Sequence, residues 1–140
     1  MAEAIAIKMF GEAGLNVSVS SAGTSAASGS PASKLAVKAA RVNGLSLRRH
    51  ASRPVTDAAL SPAGLILTMT AGHREYLLRE YPRHGQKIFT LCEYVGVGGD
   101  VADPFGGDKR DYELCFAQLK DLIGTLTEKI GADMRVEEIK

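Results

Sequence analysis

The sequence predicts an α/β domain built on a parallel sheet. Two observations carry that expectation. Short continuous apolar runs bounded by glycine and polar residues read as buried strands, and the stretches between them place apolar residues at helical spacing. A third is size, because 140 residues fit one domain with a core of its own. Hydrophobic residues at 45% and charged residues at 24% place the chain with globular proteins rather than disordered ones.

From Ala2 to about Ala13 the spacing predicts a helix, with Ile5, Met9 and Ala13 in one stripe and Gly14 just beyond. Val17 and Val19 alternate with polar residues and lead into Ser21-Ala22-Gly23, a short strand running into a turn. Thr24 to Ser30, rich in Ser, Ala and Gly, reads as a surface loop. Ser30-Pro31 reads as the cap and first turn of a second helix, with Leu35, Ala39 and Val42 facing inward and Gly44 ending it. Leu65-Ile66-Leu67, between Gly64 and Thr68, predicts a strand buried on both faces. Ala71 to Tyr81 is a third helix stopped by Pro82, and Ile88-Phe89-Thr90-Leu91 is another strand. The last helix runs from about Asp111 to Ile130, with Leu119, Ile123, Leu126 and Ile130 on one face. The domain is thus expected over 1–130, with 131–140 a polar tail. A doubly wound α/β domain normally opens with a strand that feeds its first helix and ligand site. This chain opens in a helix, so a segment in front is expected to be missing.

Charge and composition narrow the partners. Lys and Arg number 17 against 16 Asp and Glu, so no one-sided basic excess points to nucleic acid. No apolar run approaches the roughly 18 residues of a membrane span. The start, Met1-Ala2-Glu3-Ala4-Ile5, carries an early carboxylate and no basic flank, unlike a signal peptide. Cys92 and Cys115 lie far apart and form no metal or redox motif, which fits a reduced, cytoplasmic setting.

Few segments could carry chemistry. Asp103-Pro104-Phe105-Gly106-Gly107 lies in a Gly-rich loop beyond the last strand, where α/β proteins place function. Pro104 fixes its own backbone and pushes Asp103 out of helical conformations, holding a carboxyl group on a defined hinge as a general acid requires. The same residues are ordinary turn chemistry, and on their own that is the plainer reading. His50 and Arg53 could orient a loop and attract an anion, but a solvated basic connector is preferred there. Ser21 could place a hydroxyl at a strand end, or simply terminate the strand. Cys92 and Cys115 lack the positive, partly exposed setting of a reactive thiolate and are assigned to the core. His73 and His84 are assigned to the surface. No Walker loop, dinucleotide fingerprint or zinc spacing is present.

Taken together and in order, these segments resemble the low-molecular-weight protein tyrosine/arginine phosphatase family. The resemblance runs from Met1 to about Ile130. It rests on Met1-Ala2-Glu3-Ala4, Ser21-Ala22-Gly23-Thr24, Gly29-Ser30-Pro31-Ala32, and Gly44-Leu45-Ser46-Leu47 with His50 and Arg53. It continues through Leu65-Ile66-Leu67-Thr68-Met69-Thr70 with His73, Leu91, Glu93-Tyr94, and Asp103-Pro104-Phe105-Gly106-Gly107. In that family a strand and a Cys-x5-Arg-Ser phosphate loop, then a proline, precede the Met-Ala-Glu-Ala helix.

The resemblance implies a Rossmann-like, three-layer αβα fold with a parallel sheet, its first central strand absent in this chain. The strands near Val17–Val19 and Leu65–Leu67 would then lose a shared partner. A gap, dimerisation through the unpaired strands, or marginal stability is expected. It also implies a protein phosphatase acting on phosphotyrosine or phosphoarginine in a phosphorylated protein, through a phosphocysteine and without metal or cofactor. Asp103 matches the general acid, Ser21 and His50 the residues that support the phosphate loop, and Phe105 the aromatic beside the substrate. Without the nucleophile loop, residues 1–140 are expected to be inactive. Phe105-Gly106-Gly107 is more like the phosphoarginine branch. Two rivals are a non-catalytic pseudo-phosphatase or binding module, and a thioredoxin-coupled arsenate reductase, whose extra redox cysteines are not matched here.

Overall fold

Alanines with Glu3, Lys8 and Met9 favour helix at the start of the chain, and in the computed structural model Ala2–Glu12 forms helix α1. The structure describes residues 1–23, 33–47, 53–104 and 106–139, with side chains described through 132. Helix α1 buries Ile5, Ala6 and Phe10, a stripe turned away from the expected Ala13. It ends at Gly14, whose positive φ of 72° lets the Leu15 amide turn back onto the Phe10 carbonyl at 2.9 Å. Helix α2 is Lys34–Val42, capped by Ser33, whose hydroxyl accepts from the Ala36 amide at 3.2 Å. The Ser30-Pro31 start lies outside the described residues. Ala36, Ala39 and Ala40 form the buried face of α2, against helix α6 (Lys109–Ile139), while Val42, expected inside, is 73% exposed. Ala36 and Ala40 join the expected Ala39 on that face, while Leu35 is only partly buried against the core.

Thr56 caps a four-residue helix, α3 (Asp57–Leu60), that the sequence reading did not anticipate. Strand β1 is Ile66–Thr68 and β2 is Ile88–Thr90; they pair in parallel, Ile66 opposite Ile88 and Thr68 opposite Thr90. Their connection is helix α4 (Ala71–Glu80) and a 3-10 turn, Pro82–Lys87. Alternation sends Ile66 and Ile88 into a cluster with Leu60 and Leu77, while Leu67 meets the main core on the other face. That core joins α1, α2 and α6 with Leu91 and Cys92 of the short helix α5 (Leu91–Tyr94). The sheet thus has helices on both faces. Helix α6 presents Leu119, Ile123 and Leu126 to this core as expected, and its backbone continues through Gly131 to Ile139, the stretch read as a tail.

The expected strand at Val17–Val19 does not form. Residues 15–22 make no ladder among the described residues, and they do not pair with β1. Val19 packs on the core from one side. Only Gly23 makes a bridge, parallel to Pro54, through its amide to the Arg53 carbonyl at 2.8 Å and its carbonyl to the Val55 amide at 3.2 Å.

His84, expected on the surface, is buried at 7% exposure. Its Nε2 lies 3.0 Å from Asp57 Oδ1 and 3.3 Å from Arg83 Nε. One ring nitrogen cannot donate and accept at once, and the carboxylate is the stronger partner, so Nε2 carries the proton. Asp57 also receives the Arg83 guanidinium. The hydrogen bond from His84, with the charge of Arg83 assisting, holds the Asp57 carboxyl below the usual carboxylate range. A lowered folded pKa means that this stabilisation is complete above the unfolded carboxylate value, about 4, and is lost as pH falls through the folded one. Thermal melts from pH 6 downward should therefore show a steeper acid loss for the parent chain than for Asp57→Asn. Parallel curves would contradict the pairing.

Candidate active site

Asp103 sits on a loop pinned at both ends. On the near side the Val101 amide donates to the Met69 carbonyl, just beyond β1, at 2.8 Å. The Asp100 carboxylate accepts from the Ala71 amide at the start of α4 at 2.9 Å, and the Asp100 carbonyl accepts from Gln118 Nε2 of α6 at 3.3 Å. Val101 is 2% exposed, so the chain dives into the core two residues before the acid. From below, the Cys115 thiol donates to the Ala102 carbonyl at 3.8 Å, a weak sulfur contact.

On the far side Asp108 and Asp111 cap α6 reciprocally. The Asp108 amide donates to Asp111 Oδ2 at 2.9 Å and the Asp111 amide to Asp108 Oδ1 at 3.1 Å. Gly106 turns with φ of 85°, and the Gly107 amide donates back to the Pro104 carbonyl at 2.8 Å. A Cβ on Gly107 would fall 2.9 Å from both Cβ and Cγ of Asp111, so only glycine fits beside the capping pair. Gly107→Ala should cost about 1–2 kcal/mol in urea denaturation, the value of a lost cap. Asp111→Ala in the Gly107→Ala background should then add little, since the cap is already broken.

The first turn of α1 packs, through Met1 and Ala2, against the core cluster that holds Val101 and Cys115. Burial raises the Cys115 thiol pKa, and Asp103 adds to that rise, so the hinge lies within electrostatic reach of the same thiol. Ser21 reaches the same turn: its hydroxyl donates to Glu3 Oε2 at 2.7 Å. An acid on a constrained loop and a hydroxyl–carboxylate pair thus gather around the N-terminal end of α1, where backbone amides favour anions.

Of the residues anticipated from sequence, Ser21 bonds to the first turn of α1 and Asp103 sits on the pinned hinge; His50 and Phe105 lie outside the described residues. Cys92 and Cys115 are buried free thiols. Burial raises both pKa values, with Asp100 adding to the rise at Cys92 and Asp103 at Cys115, so neither has the character of a nucleophile. Asp100, Asp108 and Asp111 were not anticipated. The second pair had a signal, Asp108-Lys109-Arg110-Asp111 ahead of an apolar run, which is the spacing of a capping box. Asp100 had none, because its partner lies 29 residues away.

The family model for low molecular weight phosphotyrosine protein phosphatase matches residues 1–136. The chain is 38% identical to a protein-arginine-phosphatase of Bacillus subtilis (strain 168) over 136 residues, which is 96% of this chain and 90% of that protein. Among solved structures, it superposes with a TM-score of 0.92 on a mutant of the YwlE arginine phosphatase that carries a phosphorylated active-site serine. That pair shares 37% identity over 96% of this chain and 88% of the other. A low molecular weight protein tyrosine phosphatase from T. tengcongensis gives a TM-score of 0.88 at 35% identity, over 91% and 88% of the two chains. These relatives are phosphatases, and phosphatases are hydrolases. The chain belongs to the low molecular weight phosphotyrosine protein phosphatase family.

Proposed function

We propose that this chain supplies the acid and the loop supports of a cytoplasmic protein phosphatase acting on phosphoarginine. Its nucleophile would be a cysteine in a Cys-x5-Arg loop joined ahead of Met1. The thiolate attacks phosphorus, the bond to the leaving nitrogen breaks, and Asp103 gives that nitrogen its proton. The Asp103 carboxylate then takes a proton from water as that water cleaves the phosphorus–sulfur bond, releasing phosphate and restoring the thiolate. The loop amides at the α1 N-terminus and the loop arginine hold the phosphoryl oxygens. Ser21, through Glu3, and His50 support that loop, and Phe105 lies beside the substrate.

The observation that supports this reading is the doubly pinned hinge that carries Asp103, which joins through Val101 the core cluster on which the first turn of α1 packs. The arginine phosphatase names of two relatives support the substrate over phosphotyrosine. No cofactor is invoked. Nucleic acid and membrane are left out of the scheme: the charges nearly balance, and no described helix is long and apolar enough to cross a bilayer. The edge of β1 left unpaired among the described residues would permit dimerisation, which light scattering of the 140-residue chain would reveal.

The test is turnover of p-nitrophenyl phosphate and of a phosphoarginine peptide. The 140 residues alone should hydrolyse neither, because both thiols are buried. The same chain with the loop ahead of Met1 should hydrolyse both. Turnover by the 140 residues alone would overturn the assignment of the nucleophile. Inactivity of the loop-bearing form would instead favour a non-catalytic binding module.

A further inference from the structure

Asp100 is exposed, three residues before the acid, yet it meets two helices. Its carboxylate takes the first amide of α4, at 2.9 Å. Its carbonyl takes the Gln118 side chain of α6, at 3.3 Å. The next amide, that of Val101, closes on Met69 beyond β1 at 2.8 Å. Asp100 and Val101 together therefore tie the end of the sheet, the start of α4 and the first third of α6 at a single place.

Helix capping alone does not require this. Thr70 already caps α4 with its hydroxyl on the His73 amide at 3.1 Å. The Asp100 carboxylate satisfies a second orphan donor of the same helix and brings the loop with it. Beyond Val101, among the described residues, Ala102 adds the weak Cys115 contact before the chain reaches Asp103. Asp100 thus contributes to the direction in which the acid leaves the core.

We infer that Asp100 is a positioning residue for the acid: by clipping the loop to α4 and α6 it fixes where the Asp103 carboxyl stands. This rests on the phosphatase reading for its chemistry, and on geometry alone for the clip. A general acid must reach its leaving atom at hydrogen-bond distance, about 2.6–3.2 Å, and a displacement of about 1 Å can cost on the order of 100-fold in rate.

Two measurements test it. Amide exchange of the 140-residue chain reads the clip without any need for activity. In Asp100→Ala the Val101 amide, which donates to Met69, should exchange about 10-fold faster, the effect of one lost capping bond. Those of Ile123 and Leu126 should be unchanged. Asp100→Asn keeps an acceptor oxygen and should restore most of the protection. Thr70→Ala, which removes the other cap of α4, should leave the Val101 amide as it was. If Asp100→Ala does not fold, Gln118→Leu removes the α6 limb and should give the same local pattern. Unchanged exchange at Val101 in the folded Asp100 and Gln118 variants overturns the clip.

The second measurement uses the loop-bearing form. Asp100→Ala should slow phenyl phosphate, whose leaving group needs protonation, about 10-fold more than p-nitrophenyl phosphate, whose leaving group needs little. Asp100→Asn should recover that difference. Equal loss on both substrates reduces Asp100 to a structural cap and overturns the positioning role. If Asp103→Asn itself shows no leaving-group dependence, the phosphatase reading fails, while the exchange result still decides the clip.

Discussion

Asp103→Asn, made in the form that carries a Cys-x5-Arg loop ahead of Met1, should lower kcat on a phosphoarginine peptide by about 10²–10⁴-fold, the usual worth of a positioned general acid. The amide is close in size and can still accept hydrogen bonds, so the loop should stay in place; what is lost is the transferable proton. Val101, the Asp108–Asp111 cap and the Gly107 turn hold the hinge independently of the side chain at 103. The melting temperature should therefore move little while turnover collapses. KM should change far less than kcat, because the acid acts on the leaving group rather than on the bound phosphoryl oxygens. Steady-state kinetics on the peptide, with a parallel melt, check both halves. A loss below about 10-fold would remove Asp103 from the proton-transfer step.

The second large effect is on stability. Phe116 is 2% exposed on the face of α6 that meets the main core. Phe116→Ala should cost about 3–5 kcal/mol, from lost transfer energy and the cavity left behind. That is a large share of the roughly 5–15 kcal/mol typical of a whole domain. Leu114, two residues earlier and 57% exposed, is the control: Leu114→Ala should stay within about 0.5 kcal/mol. Urea denaturation with unchanged m values would report both. The damage should reach the site as well, since α6 also carries Asp111, Cys115 and Gln118, three of the loop's contacts.

The sequence disclosed what local pattern controls. Alternation and apolar runs located β1 and β2, helical spacing located α1, α4 and most of α6, and Asp103-Pro104 announced the hinge. Long-range partners were hidden. His84 reads as a surface residue until Asp57, 27 residues away, is seen to hold it inside. Val42 fits an inward stripe by spacing, yet the buried face of α2 is made by Ala36, Ala39 and Ala40. The pattern at Val17–Val19 is strand-like, but a strand exists only through its neighbours, and residues 15–22 have no ladder among the described residues. Near the candidate site, the Asp103-Pro104 hinge and the turn after Ser21 were legible as local patterns. Asp100 was not, because its value lies in contacts to α4 and α6 that no local rule displays.

In the proposed mechanism the phosphoryl group passes to a cysteine of a loop ahead of α1, and Asp103 serves both steps. The most direct check is to react the loop-bearing Asp103→Asn form with a good-leaving-group substrate, quench it while hydrolysis is slow, and locate the phosphate by peptide mass spectrometry. The label should sit on the cysteine of the loop ahead of Met1, with Cys92 and Cys115 unmodified. Phosphate on either buried cysteine, or a full burst of product with no covalent label, would contradict the mechanism.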